Sequence, residues 1–97
     1  MEGLMQDYEL TTQHGLWRIE RLFPHKEIFT KRESGVHRTT YGDMVPRFNQ
    51  LAGALKRLGV GESDRVATLC WNNHRHLELY YAIPSMGAVL HTLNLRL

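Results

Sequence analysis

The sequence predicts an α/β fold, and three patterns along its 97 residues support that class. Apolar side chains recur at helical spacing from Tyr41 to Leu58. Strand-forming residues flank a glycine-containing turn in residues 27–41, which is typical of a β-hairpin. A strand, a helix and a second strand then follow each other in residues 64–92. Such a unit forms two parallel strands joined by a right-handed crossover.

The composition is that of an ordinary globular protein. Hydrophobic residues make up 42% and charged residues 23%, close to average usage. No apolar run approaches the roughly 20 residues that a bilayer crossing needs, and residues 1–10 carry acids where a signal peptide has basic residues. The single Cys70 cannot form an internal disulfide, which fits a cytoplasmic protein. A net charge of +2 forms no basic cluster, so a nucleic-acid partner is not expected.

The first third of the chain is expected to hold an arm, a short helix and the hairpin. Residues 1–14 are polar and poorly patterned, and we predict a loose arm there. Leu16, Ile19, Leu22 and Phe23 have helical spacing, and Pro24 ends that helix because the residue before a proline avoids the α region. In the hairpin, residues 33–35 supply the turn, and polar side chains indicate an outer, solvent-facing element.

A longer helix begins near Tyr41, and two N-terminal boundaries are open. Thr40 with Asp43 makes a capping box. If Asp43 is the cap instead, Pro46 falls in the first turn, where its missing N–H leaves no carbonyl unpaired. Gly59, directly after the last apolar residue of the stripe, predicts a left-handed C-cap.

The second half of the chain predicts the strand–helix–strand unit. Residues 66–71 form a short apolar run, typical of a strand buried on both faces of a parallel sheet. Asn72 or Asn73 caps the next helix, which ends at Gly87 and has Pro84 in its last turn. Residues 88–92 form the second strand. Because a parallel sheet needs cover on both faces, we expect these elements to open a larger α/β domain.

Two motifs that suggest chemistry have structural explanations. The glycines of residues 59–61 follow a helix and open a strand, whereas a dinucleotide-binding loop does the reverse. His74 and His76 lie two residues apart, so they do not share a helix face, and no Cys or carboxylate stands beside them at zinc spacing. We therefore expect no metal site, and solvated or partner-facing histidines.

Three other chemically suggestive features also favour packing. Cys70 ends an apolar strand, where cysteine usually behaves as a small buried hydrophobe. Trp71, Tyr80 and Tyr81 are expected to pack, since no basic stripe accompanies them. His91, a polar residue in an apolar strand, either faces a site or bonds to a covering element.

Residues 40–97 contain a series of short motifs in one register. They are Thr40-Tyr41, Leu51-Ala52, Leu58-Gly59-Val60, Asp64-Arg65-Val66-Ala67, Asn72, Gly87-Ala88-Val89 and Asn94. This series resembles the N-terminal portion of the AMP-forming acyl-CoA synthetases, and within them the medium- and long-chain fatty acid–CoA ligases. Two positions depart from the family pattern: Ser63 stands where glycine is usual, and Leu95 stands where proline is common.

The resemblance implies a fold and an activity for a longer protein. Residues 1–97 would be an incomplete N-terminal part of an AMP-binding domain of the adenylate-forming fold. The full-length family enzyme uses ATP and Mg²⁺ to convert a fatty acid to an acyl-adenylate, then transfers the acyl group to CoA. The family's phosphate loop and other signature motifs lie downstream of Leu97, so no catalytic, cofactor-binding or metal-binding residue is assigned here. A wall of the acyl pocket near His91, Asn94 and Arg96 is the one site suggested.

The expected partners follow from the same resemblance. They are the remainder of a ligase chain and, in the full-length enzyme, a fatty acid substrate; a homo-oligomer is a further option. The alternative function is a stand-alone, non-catalytic α/β interaction module, whose free strand edge a partner or a second copy completes. In either case we expect the isolated chain to lack ligase activity. Apolar surface should be exposed on its last strand and on the helix that Asn72 or Asn73 caps.

Overall fold

A computed structural model describes residues 3–97 and has the mixed α/β class that the sequence predicts. The elements, in chain order, are α1 (Thr12–Leu22), β1 (Glu27–Arg32), β2 (Gly35–Thr40), α2 (Tyr41–Arg57), β3 (Arg65–Thr68), α3 (His74–Ser85) and β4 (Val89–Thr92). β1 and β2 pair antiparallel, and β3 and β4 pair parallel. The hairpin and the βαβ unit are therefore both confirmed.

Helix α1 begins at Thr12 rather than at Leu16. Residues 12–14, which the sequence assigned to a loose arm, are thus helical. The reason is a contact with the end of α3: the Gln13 side-chain amide donates to the Ser85 carbonyl at 2.6 Å, and the Thr12 and Ser85 hydroxyls lie 3.1 Å apart. No sequence pattern within residues 1–14 predicts the contact with Ser85.

The hairpin presents different chemistry on its two faces. Residues 33 and 34 form its turn, and Gly35 has a φ of 123°, a conformation that glycine adopts without strain. Thr30 pairs with His37, and Thr30 is buried. On the opposite face Phe29 pairs with Arg38, whose guanidinium lies 5.0 Å from the exposed ring. The expected solvent-facing character therefore holds for one face only.

Helix α2 starts with the capping box, which resolves the two alternatives in favour of Thr40. The Asp43 N–H donates to Thr40 Oγ1 at 3.2 Å, and the Thr40 hydroxyl donates to the Asp43 carboxylate at 2.9 Å. Pro46 consequently lies in the second turn, where its ring nitrogen cannot donate to the Gly42 carbonyl. The helix ends at Arg57 with Leu58 as its C-cap, and Gly59, directly after the cap, has the expected left-handed conformation with a φ of 96°.

The core lies where α2 packs against α3, and Leu16 and Ile19 of α1 and Ile28 of β1 also pack against it. Met44 and Phe48 of α2 are each 1% exposed, and Ile83 of α3 is fully buried. The Phe48 ring stacks on Tyr81 with centroids 5.0 Å apart, and burial, with a smaller effect of Tyr41, raises the pKa of the Tyr81 hydroxyl. Apolar burial of this kind is the main force that holds two helices together.

An ion pair adds to the contact between α2 and α3. The Arg47 guanidinium donates a hydrogen bond to the Glu78 carboxylate, whose side chain is only 9% exposed. That bond and the charge of Glu78 raise the pKa of Arg47. The pair satisfies a carboxylate that would otherwise be buried without a partner.

Both ends of helix α3 are set by nearby residues. Asn73 is the N-cap, since its side-chain oxygen accepts the His76 N–H at 3.0 Å, and this resolves the choice between Asn72 and Asn73. At the other end Gly87 has a φ of 82° and donates its N–H to the Pro84 carbonyl. That left-handed residue turns the chain back into β4.

The parallel sheet is covered on one face only. Val66 and Thr68 of β3 are shielded, whereas Ala67 between them is exposed, and side chains alternate between the two faces of a strand. The expectation that this strand is buried on both faces is thus wrong for the described chain, because no element of residues 3–97 lies over the Ala67 face. The strand also ends at Thr68, since β4 offers no partner to residues 69–71. As expected, Val89 on the last strand is exposed.

Candidate functional site

An open cleft lies at the carboxyl ends of the two parallel strands. Its volume is about 530 Å³. The lining comprises Cys70, Trp71 and Asn72 after β3, His76, Leu77 and Tyr80 on α3, and residues 93–96 after β4. In open α/β sheets, ligands bind outside the carboxyl ends of the strands. The position of the cleft makes it the strongest candidate binding site among residues 3–97.

Backbone hydrogen bonds position the segment that follows β4. The Leu93 N–H donates to the Thr68 carbonyl at 2.8 Å, which holds this segment beside the end of β3. Asn94 then folds back on its own chain, since its side-chain oxygen accepts the Arg96 N–H at 2.9 Å. Such a turn is a common role of asparagine. It places the Asn94 and Arg96 side chains along one wall of the cleft.

The His76 ring is held at the base of the cleft. Its Nε2 atom lies 3.0 Å from the Thr68 hydroxyl of β3, and its ring centroid lies 4.8 Å from that of Tyr80. His76 is buried, so the expectation of a solvated or partner-facing ring is wrong for this residue. The physical reason is Thr68, which satisfies the imidazole from the neighbouring strand.

The aromatic residues divide between the cleft and the core. Trp71 is 68% exposed and Tyr80 is also exposed, and both line the cleft. Tyr81 instead packs on Phe48. The prediction of packing is therefore confirmed for Tyr81 and wrong for the other two. The rule about carboxyl strand ends could have identified Trp71, which lies three residues after the end of β3, but the sequence assigned residues 66–71 to the strand itself.

The structure separates the three residues that the sequence suggested for an acyl pocket. Asn94 and Arg96 line the cleft. His91 pairs with Ala67 and is exposed on the uncovered face of the sheet, away from the cleft. Cys70 is half-buried in the cleft wall, with its Sγ 3.9 Å from the Asn73 side-chain oxygen.

His74 is buried at the contact between the hairpin and α3, rather than solvated as expected. Its backbone N–H donates to Thr30 Oγ1 at 2.9 Å, and its Nδ1 lies 3.2 Å from the same oxygen. Burial lowers the pKa of His74, and the neighbouring His37 and Arg32 lower it further. Thr30 precedes His74 by 44 residues, so no local pattern could have linked them.

Neither a cluster of metal ligands nor a membrane-spanning helix is found among residues 3–97. Residues 3–97 contain no group of three or more His, Cys, Asp or Glu side chains placed to hold a metal ion. Over the same residues, no helix combines the length and the apolar character that crossing a membrane requires.

A family model described as AMP-binding enzyme matches residues 16–97. The chain belongs to the AMP-binding enzyme family. It is 52% identical over 94 residues to the long-chain-fatty-acid–CoA ligase of Thermus thermophilus. That alignment covers 96% of this chain and 17% of the relative. It is 45% identical over 98 residues to the medium-chain-fatty-acid–CoA ligase of Ectopseudomonas oleovorans, which covers the whole chain and 18% of that relative.

The solved structure of the Mycobacterium tuberculosis fatty acyl CoA synthetase has the same arrangement of elements. It matches 90% of this chain with a TM-score of 0.79 and 29% identity, over 17% of its own length. The expected N-terminal fold of the adenylate-forming enzymes is thereby confirmed. This chain spans less than a fifth of each of these relatives.

Proposed function

We propose that this chain is the N-terminal portion of a fatty acid–CoA ligase. The observation that carries the proposal is the 52% identity to a long-chain-fatty-acid–CoA ligase along almost the whole chain. The complete enzyme would join a fatty acid carboxylate to ATP, forming an acyl-adenylate and releasing pyrophosphate. The CoA thiol would then displace AMP and form the thioester.

The uncovered sheet supports a role as part of a larger domain. One face of the parallel sheet is uncovered, with Ala67, Val89 and His91 all exposed. Further elements of a ligase chain would cover this face and extend the sheet, since parallel sheets are normally buried on both sides.

Within that domain, we propose that the cleft forms one wall of the acyl pocket. The exposed ring of Trp71, the Tyr80 ring and Leu93 offer apolar surface to a hydrocarbon chain. Asn94 and Arg96 add polar groups to the same wall. Apolar pockets with a few convergent polar groups are the usual form of small-molecule sites. His91 stands apart on the uncovered face, where added sheet or helix would contact it.

The complete enzyme is proposed to use ATP, Mg²⁺ and CoA. The described residues offer no cluster of metal ligands, so we assign no residue of this chain to Mg²⁺. Its own contribution is to build the sheet and shape the cleft.

A chimera tests the proposal directly. The 94 matched residues of the Thermus thermophilus ligase are replaced by the corresponding residues of this chain, and fatty-acid-dependent ATP–pyrophosphate exchange is measured. A folded and active chimera is expected. A chimera that lacks either the fold or the activity would contradict the proposal, because the segment would then fail to replace its counterpart.

Two variants of the chimera test the cleft separately. Trp71→Ala should raise the KM for the fatty acid, because it removes an exposed aromatic surface from the cleft wall. Phe29→Ala removes an exposed ring outside the cleft and should leave the KM unchanged. If both variants bind fatty acid like the parent chimera, the cleft assignment is wrong while the ligase assignment stands.

The uncovered sheet face also supports the second candidate, a non-catalytic interaction module. A module would find a partner in solution, whereas a ligase segment would have its cover within one chain. Size-exclusion chromatography of the native protein separates the two and reports any homo-oligomer. The cytoplasmic location, which rests on the lone Cys70, is tested by cell fractionation.

A further inference from the structure

The contact between the hairpin and α3 depends on a small polar cluster. Thr30 of β1 and His37 of β2 oppose each other in the hairpin register, so their side chains leave the same face. Both meet His74, the first residue of α3. The His37 and His74 ring centroids are 4.1 Å apart, and Thr30 Oγ1 bonds to both the N–H and the Nδ1 of His74. We call these three residues the latch.

The latch is built for a neutral His74 ring. Thr30 Oγ1 accepts the His74 backbone N–H, and its hydroxyl proton can be donated to Nδ1 of a neutral ring. A protonated ring would lose its hydration in this buried position and would lie at the positive end of the α3 dipole. Protonation would also place a positive charge against the His37 ring, whose centroid lies 4.1 Å away.

We propose that the latch is an acid-sensitive switch: protonation of His74 releases the hairpin from the N-terminus of α3. The switch goes beyond the ligase assignment and does not rest on it. Release would open the groove of about 410 Å³ that lies between the hairpin turn and the start of α3.

The surrounding charges favour release on protonation. Arg32 on the hairpin and Arg75 on α3 both oppose a positive charge at His74, and Lys31 and Glu33 line the adjacent groove. Glu78 on α3 acts in the other direction. Its carboxylate, however, is already engaged by Arg47 of α2. Burial and the neighbouring cations therefore dominate, which agrees with the lowered pKa of His74.

The direction of the pH effect follows from that lowered pKa. When the docked state has the lower pKa, the undocked state binds more protons as the pH falls below about 6.5. The latch thus contributes fully above that pH, and its contribution is lost as the pH falls towards the pKa of the docked ring. One proton can change the docking equilibrium by at most about tenfold per pH unit.

Apolar packing is too sparse to hold the hairpin once the latch opens. On β1 and β2 only Thr30 is buried, and Phe29 and Val36 are both more than half exposed. The base of the hairpin stays attached, since Ile28 packs on the core and the Tyr41 N–H donates to the Lys26 carbonyl at 3.1 Å. We therefore expect the turn end to move while α2 and α3 remain folded.

The test is amide hydrogen exchange by NMR on the 97-residue chain between pH 7.5 and 5.0, corrected for intrinsic exchange. Protection of β1 and β2 should fall by about two- to tenfold per pH unit below 6.5, while α2 keeps its protection. The His74 ring resonances should titrate below the usual range of histidine over the same interval. Uniform loss of protection, no loss in the hairpin, or a His74 that titrates normally would each overturn the proposal.

Two variants separate the latch from general acid effects. His74→Asn removes the titrating ring and should make hairpin protection independent of pH. His25→Asn removes an exposed ring from the turn before β1 and should behave like the wild type. An acid response that persists in a folded His74→Asn protein would contradict the proposal. If that variant does not fold, hydrogen exchange of the wild-type hairpin and titration of the His74 ring still test the proposal.

Discussion

Replacing Phe48 with alanine should remove a large share of the stability of this chain. Phe48 is 1% exposed at the centre of the contact between α2 and α3, and its ring stacks on Tyr81 at 5.0 Å. Truncation of a buried phenylalanine to alanine costs about 3–5 kcal/mol, because transfer free energy is lost and a cavity remains. A domain of 97 residues has about 5–15 kcal/mol in total. The variant should therefore lose at least a fifth of its free energy of unfolding.

Urea unfolding followed by circular dichroism measures this loss. Ile83→Val, at a fully buried position of α3, should cost about 0.5–1.5 kcal/mol and keeps the test informative if Phe48→Ala does not fold. Phe29→Ala is the matched control, since its ring is 55% exposed, and should cost less than about 1 kcal/mol. Equal effects at Phe48 and Phe29 would refute the assignment of the core to the α2–α3 contact.

Two matched pairs of substitutions and one activity measurement give further predictions. Gly59→Ala, at a φ of 96°, should destabilise the chain by about 1–2 kcal/mol. Gly15→Ala within α1, where an added Cβ meets nothing within 4 Å, should stabilise it by up to about 1 kcal/mol. If urea unfolding gives the opposite order of stabilities, both assignments are contradicted. Thr40→Ala should lower the free energy of unfolding by about 1 kcal/mol, because the Asp43 N–H loses its cap. Thr11→Ala should change it little, because Thr11 makes no side-chain cap bond. Equal losses of stability in thermal melts of the two variants would be evidence against the capping box. The isolated chain should show no fatty-acid-dependent ATP–pyrophosphate exchange, and measurable exchange would place catalytic groups within these 97 residues.

Sequence patterns predicted the elements whose ends depend on residues close in sequence. The capping box at Thr40 and the left-handed Gly59 depend on residues close in sequence, so the end of α2 was predicted and its start was narrowed to two alternatives. The hairpin turn and the strand–helix–strand unit could be predicted for the same reason. Propensity and capping act over one or two turns of chain.

Features that depend on distant partners could not be predicted in this way. Helix α1 starts early because Gln13 bonds to Ser85, and His74 is buried because Thr30 meets it from β1. The cleft was only partly anticipated: Asn94 and Arg96 line it, but Trp71 was assigned to packing. Trp71 lies three residues beyond the end of β3, and its exposure was missed because the apolar run of residues 66–71 predicts a strand through Trp71.

The mass of the native protein, purified from its source and identified by peptides from these 97 residues, tests the central proposal most directly. The matched relatives are more than five times as long as this chain, so a ligase should be several times heavier than 11.3 kDa. Such a protein should also catalyse ATP–pyrophosphate exchange with a fatty acid. A native mass of 11.3 kDa would contradict the ligase proposal and favour the interaction module.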